Sequence, residues 1–269
     1  MCSCVEPEKN ASNMVDAIHK ASAAGAKMYF APEMSILIDR DRKRAATRIT
    51  LEPDSPHIRT LCKAAQSAVV WIHIGSVPVL DEDGSGRFVN RSLVIDGDGD
   101  IRGRYDKIHL FDVDLASGES WRESSAYRGG EEPVAVETPI GLMGLTICYD
   151  MRFPDLYSAY SKIAVAALSV PAAFTVPTGK AHWHSLLRAR AIEAEAFVIA
   201  AAQSGQHEDG RQTYGHSLVV DPWGEVVLDM GEGEGLAIVE LDLKRLDEVR
   251  EQIPVHQNRR AISKPVRRY

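Results

Sequence analysis

Apolar positions along the chain switch between the three-to-four-residue repeat of helices and the two-residue repeat of strands. Residues 13–24 read as an amphipathic helix closed by Gly25, and residues 27–31 as a short strand stopped by Pro32. A second helix is predicted over 55–67, with Ser55 as its cap and Pro56 in its first turn. Residues 69–79, rich in branched side chains, predict a strand; so do residues 88–95, after a turn at 81–86. Segment 96–100 resembles a calcium loop superficially, but it lacks the full loop and closing glutamate of an EF-hand and reads as a hairpin turn.

Strands are predicted again at 141–147, 165–170 and 197–202, with helices at 154–162 and 181–195 between them. Residues 217–220 and 225–228 flank a turn at Asp221-Pro-Trp-Gly224, and residues 237–241 end the sheet material. Strands alternating with helices, interrupted by hairpins, predict an α/β layered domain with a mixed sheet or two sheets sandwiched between helices. No repeat or linker divides the chain, so residues 1–269 are expected to form one domain.

At 269 residues the chain is long enough to bury a full core. Its formal charge of -7 gives no reason to expect a nucleic acid partner. The five positive charges between Arg40 and Arg48 read as solvated surface, as do the arginines and lysine near the C-terminus. Four cysteines, at positions 2, 4, 62 and 148, make no disulfide framework in a chain this size, which favours a reducing compartment. No stretch is long and apolar enough to span a bilayer, and the start has no signal-peptide pattern, so a cytoplasmic protein with no membrane partner is expected.

One segment stands out chemically. In Gly144-Leu-Thr-Ile-Cys-Tyr-Asp-Met-Arg-Phe-Pro154, an apolar run delivers Cys148 to the end of a strand before the chain turns polar. Open α/β sheets keep their sites at that rim, and a thiol there is a nucleophile candidate if a base can take its proton. None of the nine histidines is marked by position as that base, and a Cys-His pair stays open. His182 and His184 point to different sides of a helix and make a poor metal pair. Glu33 follows a strand in Ala31-Pro-Glu-Met34, and Lys107 stands beside apolar residues in Tyr105-Asp-Lys-Ile-His-Leu-Phe111. A desolvated glutamate can accept a thiol proton, and a fixed lysine with a backbone N–H can hold an oxyanion. Spacing alone does not join these residues.

Together these motifs resemble the nitrilase superfamily of carbon–nitrogen hydrolases over nearly the whole chain. The resemblance implies a catalytic set of Glu33, Lys107 and Cys148, with a second glutamate, Glu123 in Trp121-Arg-Glu-Ser124, orienting the lysine. It implies oxyanion support from the Tyr149 backbone, a thioester intermediate, and no metal or organic cofactor. It also implies a four-layer αββα sandwich that dimerises, with the tail at 255–269 reaching across to a partner subunit. Segments 170–175, 178–183, 186–193, 200–203 and 214–224 resemble the Nit subgroup, more the deaminated-glutathione amidase type than the omega-amidase type. Ala172, Phe174 and Thr175 are candidate pocket lining, and Arg152 and Arg211 are candidates to receive a substrate carboxylate. The expected partner is therefore a small carboxylate-bearing amide. Omega-amidase, aliphatic amidase and N-carbamoyl amino acid hydrolase activities are rivals, as is a scaffold that retains the motif without turnover.

The chain departs from the family in three places. Residues 1–10 resemble the stretch that follows the family's first strand, so most of that strand is expected to be missing or incomplete. Ile36 stands where relatives often have glycine, and could narrow the pocket. In residues 162–166 Ala164 replaces a glycine that would end a helix, at an expected cost in stability.

Overall fold

The structure, a computed structural model, describes residues 1–114, 118 and 120–268. Helix α1 (Pro7–Ala23) starts earlier than the pattern predicts, because Pro7 fits the first helical turn. Strand β1 (Met28–Phe30), the short helix α2 (Arg42–Ala46) and helix α3 (Pro56–Ala68) follow. Ser55 caps α3 as expected, its hydroxyl accepting from the Ile58 N–H at 3.3 Å.

Strands β2 (Trp71–His73), β3 (Val77–Leu80), β4 (Phe88–Ile95) and β5 (Ile101–Asp106) join β1 in a five-stranded sheet. β1 pairs β2 in parallel, while β2, β3 and β5 all run antiparallel to β4. The single strand predicted over 69–79 is thus two pieces on successive stretches of β4, broken at residues 74–76. A hairpin of β6 (Asp112–Asp114) and β7 (Ser120–Arg122) comes next. Residues 115–117 and 119, between these two strands, lie outside the described residues.

The second half adds β8 (Ala135–Thr138), β9 (Gly141–Leu145), helix α4 (Pro154–Lys162), β10 (Ala167–Ser169), helix α5 (Val176–Ala194) and β11 (Phe197–Ala200). The hairpin β12 (Ser204–Gln206) and β13 (Gln212–Tyr214) precedes β14 (Leu218–Val220) and β15 (Val226–Asp229). The six-stranded sheet has the order β15-β14-β11-β10-β9-β8, with β9, β10 and β11 parallel at its centre. Helix α5 starts at Val176 rather than 181, since Pro177 suits a first turn. The strand expected at 237–241 forms no ladder among the described residues, although Val239 and Leu241 pack on the core. Helices α6 (Lys244–Gln252) and α7 (Val255–Asn258) end the fold.

Two hydrophobic cores define the layers. Ala11, Met14, Ile18 and Ala21 of α1 join Ile58, Leu61 and Ala65 of α3 against Ile72, Leu93 and Ile95 of the first sheet. The second core joins Val94 and Tyr105 of that sheet to Val136, Met143 and Leu168 of the other, and takes in Tyr157, Tyr160, Trp183 and Leu187 from α4 and α5. The result is the expected αββα sandwich. Ile36 packs into the α1–α3 core and is absent from the wall of the main cleft. Ala164 does take up left-handed backbone, at φ 51°, on the exposed stop after α4. The start of the tail docks on its own subunit: the Val255 N–H donates to Glu195 (3.3 Å) and Arg259 donates to the Ser158 carbonyl (3.1 Å) and the Ser161 hydroxyl (2.8 Å). Residues 260–268 are exposed, and residue 269 lies outside the described residues.

Candidate active site

The break between β2 and β3 is what shapes the loop carrying Glu33. Gly75 sits there at φ 70°, and a Cβ on it would stand 1.9 Å from the Pro32 carbonyl oxygen. Beside it, the Ser76 hydroxyl accepts from the Met34 N–H (3.1 Å), and the Ser76 carbonyl from the Ser35 N–H (2.9 Å). Met34 itself has φ 54°. The chain therefore turns tightly after Pro32, and Gln203 fixes the turn from the far side by donating to the Glu33 carbonyl at 3.0 Å.

The Glu33 carboxylate is buried and held at both oxygens. Oε1 accepts from Asn90 Nδ2 (3.0 Å) and Lys107 Nζ (2.9 Å), and Oε2 accepts from the Ala173 N–H (2.8 Å). Lys107 is held from the other side by Glu123, at 3.0 and 3.2 Å, and its own N–H donates to the Asn90 carbonyl. Glu123 accepts in turn from the Phe111 N–H at 2.6 Å. Cys148 is 8% exposed and adopts φ 46°, its N–H donating to the Pro171 carbonyl at 2.9 Å. Its thiol lines the same cleft as the Glu33 carboxylate, whose charge acts on it. The next N–H along the turn, that of Tyr149, takes no acceptor among the described residues.

Two residues that sequence reasoning did not single out hold this set together. Asp150 is fully buried, and its carboxylate accepts from the Ile147 N–H (2.8 Å), Tyr105 hydroxyl (2.6 Å), His109 N–H (3.0 Å) and His109 Nδ1 (2.7 Å). It thus ties the loop that carries Lys107 to the turn that carries Cys148. Asn90 does the same for Glu33 and Lys107. In the sequence it sits in a polar Asn90-Arg91-Ser92 run within β4 that does not set it apart.

Electrostatics follow from burial and pairing. Burial alone would raise Glu33, but the charge and hydrogen bond of Lys107 overcome it and hold the carboxyl below its ordinary 4.5. Burial would lower Lys107, but Glu123 and Glu33 raise it well above 10.5. Burial and the Glu33 carboxylate push the Cys148 thiol well above 9.0, against the pull of Lys107. Burial thus favours the neutral form of the thiol, while pairing favours the charged forms of Glu33 and Lys107. Histidine takes no part: none lines the cleft among the described residues, and burial pushes His73 down to about 3.

A cleft of about 440 Å³ opens onto these groups, within the range of small-molecule sites. Glu33, Lys107, Glu123, Cys148, Tyr149, Phe174, Thr175 and Arg211 all line it. Ala172 is buried behind the wall, bridged to Ala202, and its neighbour Ala173 faces the cleft. Arg152 stands beside the wall, 5.4 Å from the Phe174 ring centroid and 6.0 Å from that of Tyr149. Arg40 and Arg42 also line the cleft, so this part of the basic run is not simply solvated surface. A metal-ligand grouping among the described residues lies elsewhere, at His184, His216 and Asp229. There the carboxylate already accepts from His184 Nε2 (2.9 Å), His216 Nδ1 (2.9 Å) and the Gly231 N–H (2.8 Å), so no ion is needed to hold it.

Comparison with known proteins identifies the family. The carbon–nitrogen hydrolase family model matches residues 1–251. A deaminated glutathione amidase from Yersinia enterocolitica is 36% identical over 100% of this chain and 93% of its own. The nitrilase and fragile histidine triad fusion protein of Caenorhabditis elegans is 39% identical over 94% of this chain, which spans only 58% of that protein. The crystal structure of the worm protein superposes with a TM-score of 0.89, covering 97% of this chain and 63% of that one. A Saccharomyces cerevisiae member of branch 10 of the nitrilase superfamily, 28% identical, superposes at 0.84 over 94% of this chain and 91% of its own. The sandwich, the match of the family model to residues 1–251 and relatives that cover nearly all of this chain lead to one conclusion: the chain belongs to the carbon–nitrogen hydrolase family of the nitrilase superfamily.

Proposed function

We propose that the protein hydrolyses the amide of a small carboxylate-bearing substrate through a thioester on Cys148. The observation that carries this reading is the Glu33–Lys107–Glu123 cluster lining one cleft with the Cys148 thiol. Glu33 takes the thiol proton as the sulfur attacks the carbonyl carbon. The oxygen that becomes negative is stabilised by Lys107 Nζ and the uncommitted Tyr149 N–H. Collapse of this tetrahedral species breaks the C–N bond. The leaving amine takes the proton back from Glu33, and an acyl thioester remains. Water then gives one proton to Glu33 and its oxygen to the acyl carbon, releasing the acid and regenerating the thiol. Glu123 acts through Lys107 as a positioning residue. No step requires a metal or an organic cofactor.

Phe174 and Thr175 would face the substrate, with Ala172 supporting that wall from behind. Arg152 and Arg211 supply positive charge for a substrate carboxylate. The relatives named for deaminated glutathione favour that compound or one like it. The whole chain is read as one domain acting in the cytoplasm as a homodimer, without nucleic acid or membrane partners. Exposed apolar side chains such as Ile192, Val226, Val227 and Ile238 supply surface for a second copy.

The test is amine or ammonia release from deaminated glutathione, 2-oxoglutaramate and N-carbamoyl-alanine, run beside Cys148→Ala. Preference for deaminated glutathione, abolished in the variant, is expected. Turnover of only one of the others would keep the mechanism and reassign the enzyme as an omega-amidase or a carbamoyl hydrolase. No turnover by folded protein would favour the scaffold reading.

A further inference from the structure

The cleft holds more positive charge than the thiol chemistry uses. Trp121 lies on β7 just ahead of Glu123, and two guanidinium groups rest on its ring. Arg40 Cζ is 4.7 Å from the ring centroid and Arg211 Cζ is 5.0 Å from it. All three residues line the same cleft as Cys148. The arginines come from distant parts of the chain, one after the Glu33 loop and the other on the β12–β13 hairpin.

Two buried donors of this group have no hydrogen-bond partner, Trp121 Nε1 and Arg211 Nε. Buried donors are normally satisfied, so a pair of orphans in one cleft marks a place for an acceptor that comes from outside. The acid nearest in sequence, Asp209, accepts from the Arg211 N–H at 2.9 Å. It also stands 3.3 Å from Arg211 Nη2, but the corresponding carboxylate oxygen makes no hydrogen bond, and the Nε edge is left unmatched. Burial, reinforced by the Arg40 charge, makes the Arg211 guanidinium less basic than usual. A carboxylate suits all of this: its two oxygens match a guanidinium fork, and an indole N–H can donate to either.

Resting on the amidase reading above, we propose that Arg40, Trp121 and Arg211 form a receptor for a substrate carboxylate that is not part of the bond being cleaved. Arg152 lies beside the cleft wall, against the Tyr149 and Phe174 rings and near His182, and offers a second basic side chain at the edge of the cleft. A substrate with two acidic groups would use both, and one with a single acidic group would leave one place empty. The receptor thereby separates diacids such as deaminated glutathione from monoacids such as 2-oxoglutaramate.

The experiment pairs substrate and protein changes. Deaminated glutathione and its two singly amidated counterparts are assayed with the wild type, Arg211→Gln and Trp121→Phe. Arg211→Gln should raise KM for the diacid at least about tenfold with kcat little changed. It should leave one amidated counterpart unaffected, and Trp121→Phe should give a smaller loss on the same substrates. Equal losses on all three substrates, or none, would overturn the receptor. Binding of deaminated glutathione to Cys148→Ala and Cys148→Ala/Arg211→Gln, followed by calorimetry and checked by melting temperature, separates it from the hydrolase reading. Arg211-dependent binding with no wild-type turnover would keep the receptor and sink the hydrolase. Binding that is absent, or indifferent to Arg211, would sink the receptor. If Arg211→Gln melts early, Arg211→Lys replaces it, with weaker diacid binding expected and unchanged binding counting against the receptor.

Discussion

Cys148 and Ala164 stand on either side of α4 in nearly the same left-handed backbone, at φ 46° and 51°. The first is locked. Its N–H reaches the Pro171 carbonyl, and the turn behind it is pinned by the fully buried Asp150 carboxylate. The second is an exposed helix stop where the Cβ serves no visible purpose. Strain therefore carries functional meaning only where the surroundings enforce it; elsewhere it is a residue in a place that suits glycine.

The strongest way to break the comparison is to discharge the locked side. Lys107→Gln leaves Glu33 and Glu123 buried without their cation, so turnover should vanish and stability should fall by about 3–5 kcal/mol in denaturant titration. The pH profile of the wild type sharpens the same point. Glu33 is held below 4.5, so its pairing stabilises the fold above that value and the contribution fades as pH drops through the lower folded value. Lys107 is raised above 10.5, so its contribution is complete below that value and is lost as pH climbs through the higher folded one. Melting temperature should form a plateau across neutral pH. Glu33→Gln should flatten its acid edge.

Asp150→Asn comes next. It keeps the size of the side chain but replaces an acceptor of four hydrogen bonds with a mixed donor and acceptor. The expected outcome is a drop in kcat of about a hundredfold through misplacement of thiol and lysine, read by steady-state kinetics on a folded variant. Gly75→Ala, whose Cβ would collide with the Pro32 carbonyl, should cost about 2 kcal/mol and move Glu33. On the unlocked side the sign reverses. Ala164→Gly should add about 1 kcal/mol of stability with no change in kcat, measured by thermal and chemical melts.

The layered α/β class was readable from periodicity, because long amphipathic segments such as α1 and α3 carry their own signal. The break at residues 74–76 was not, since branched residues flank Gly75-Ser76 on both sides and only a distant carbonyl, that of Pro32, explains the glycine. For the site, Glu33, Lys107 and Cys148 were each ambiguous alone and became legible through family motifs. Asp150 and Asn90 escaped because their role is to bridge, and a bridge has no signature in either strand it joins. Arg40 was misread with its neighbours as solvated surface because a run of charges does not disclose which one bends back onto an indole.

The state in which the thiol waits has a consequence beyond hydrolysis. Peroxides oxidise the thiolate form of cysteine, and burial together with the Glu33 carboxylate favours the thiol form of Cys148. At 8% exposure the sulfur should lose activity to hydrogen peroxide more slowly than an exposed thiolate would, which a time course of inactivation measures.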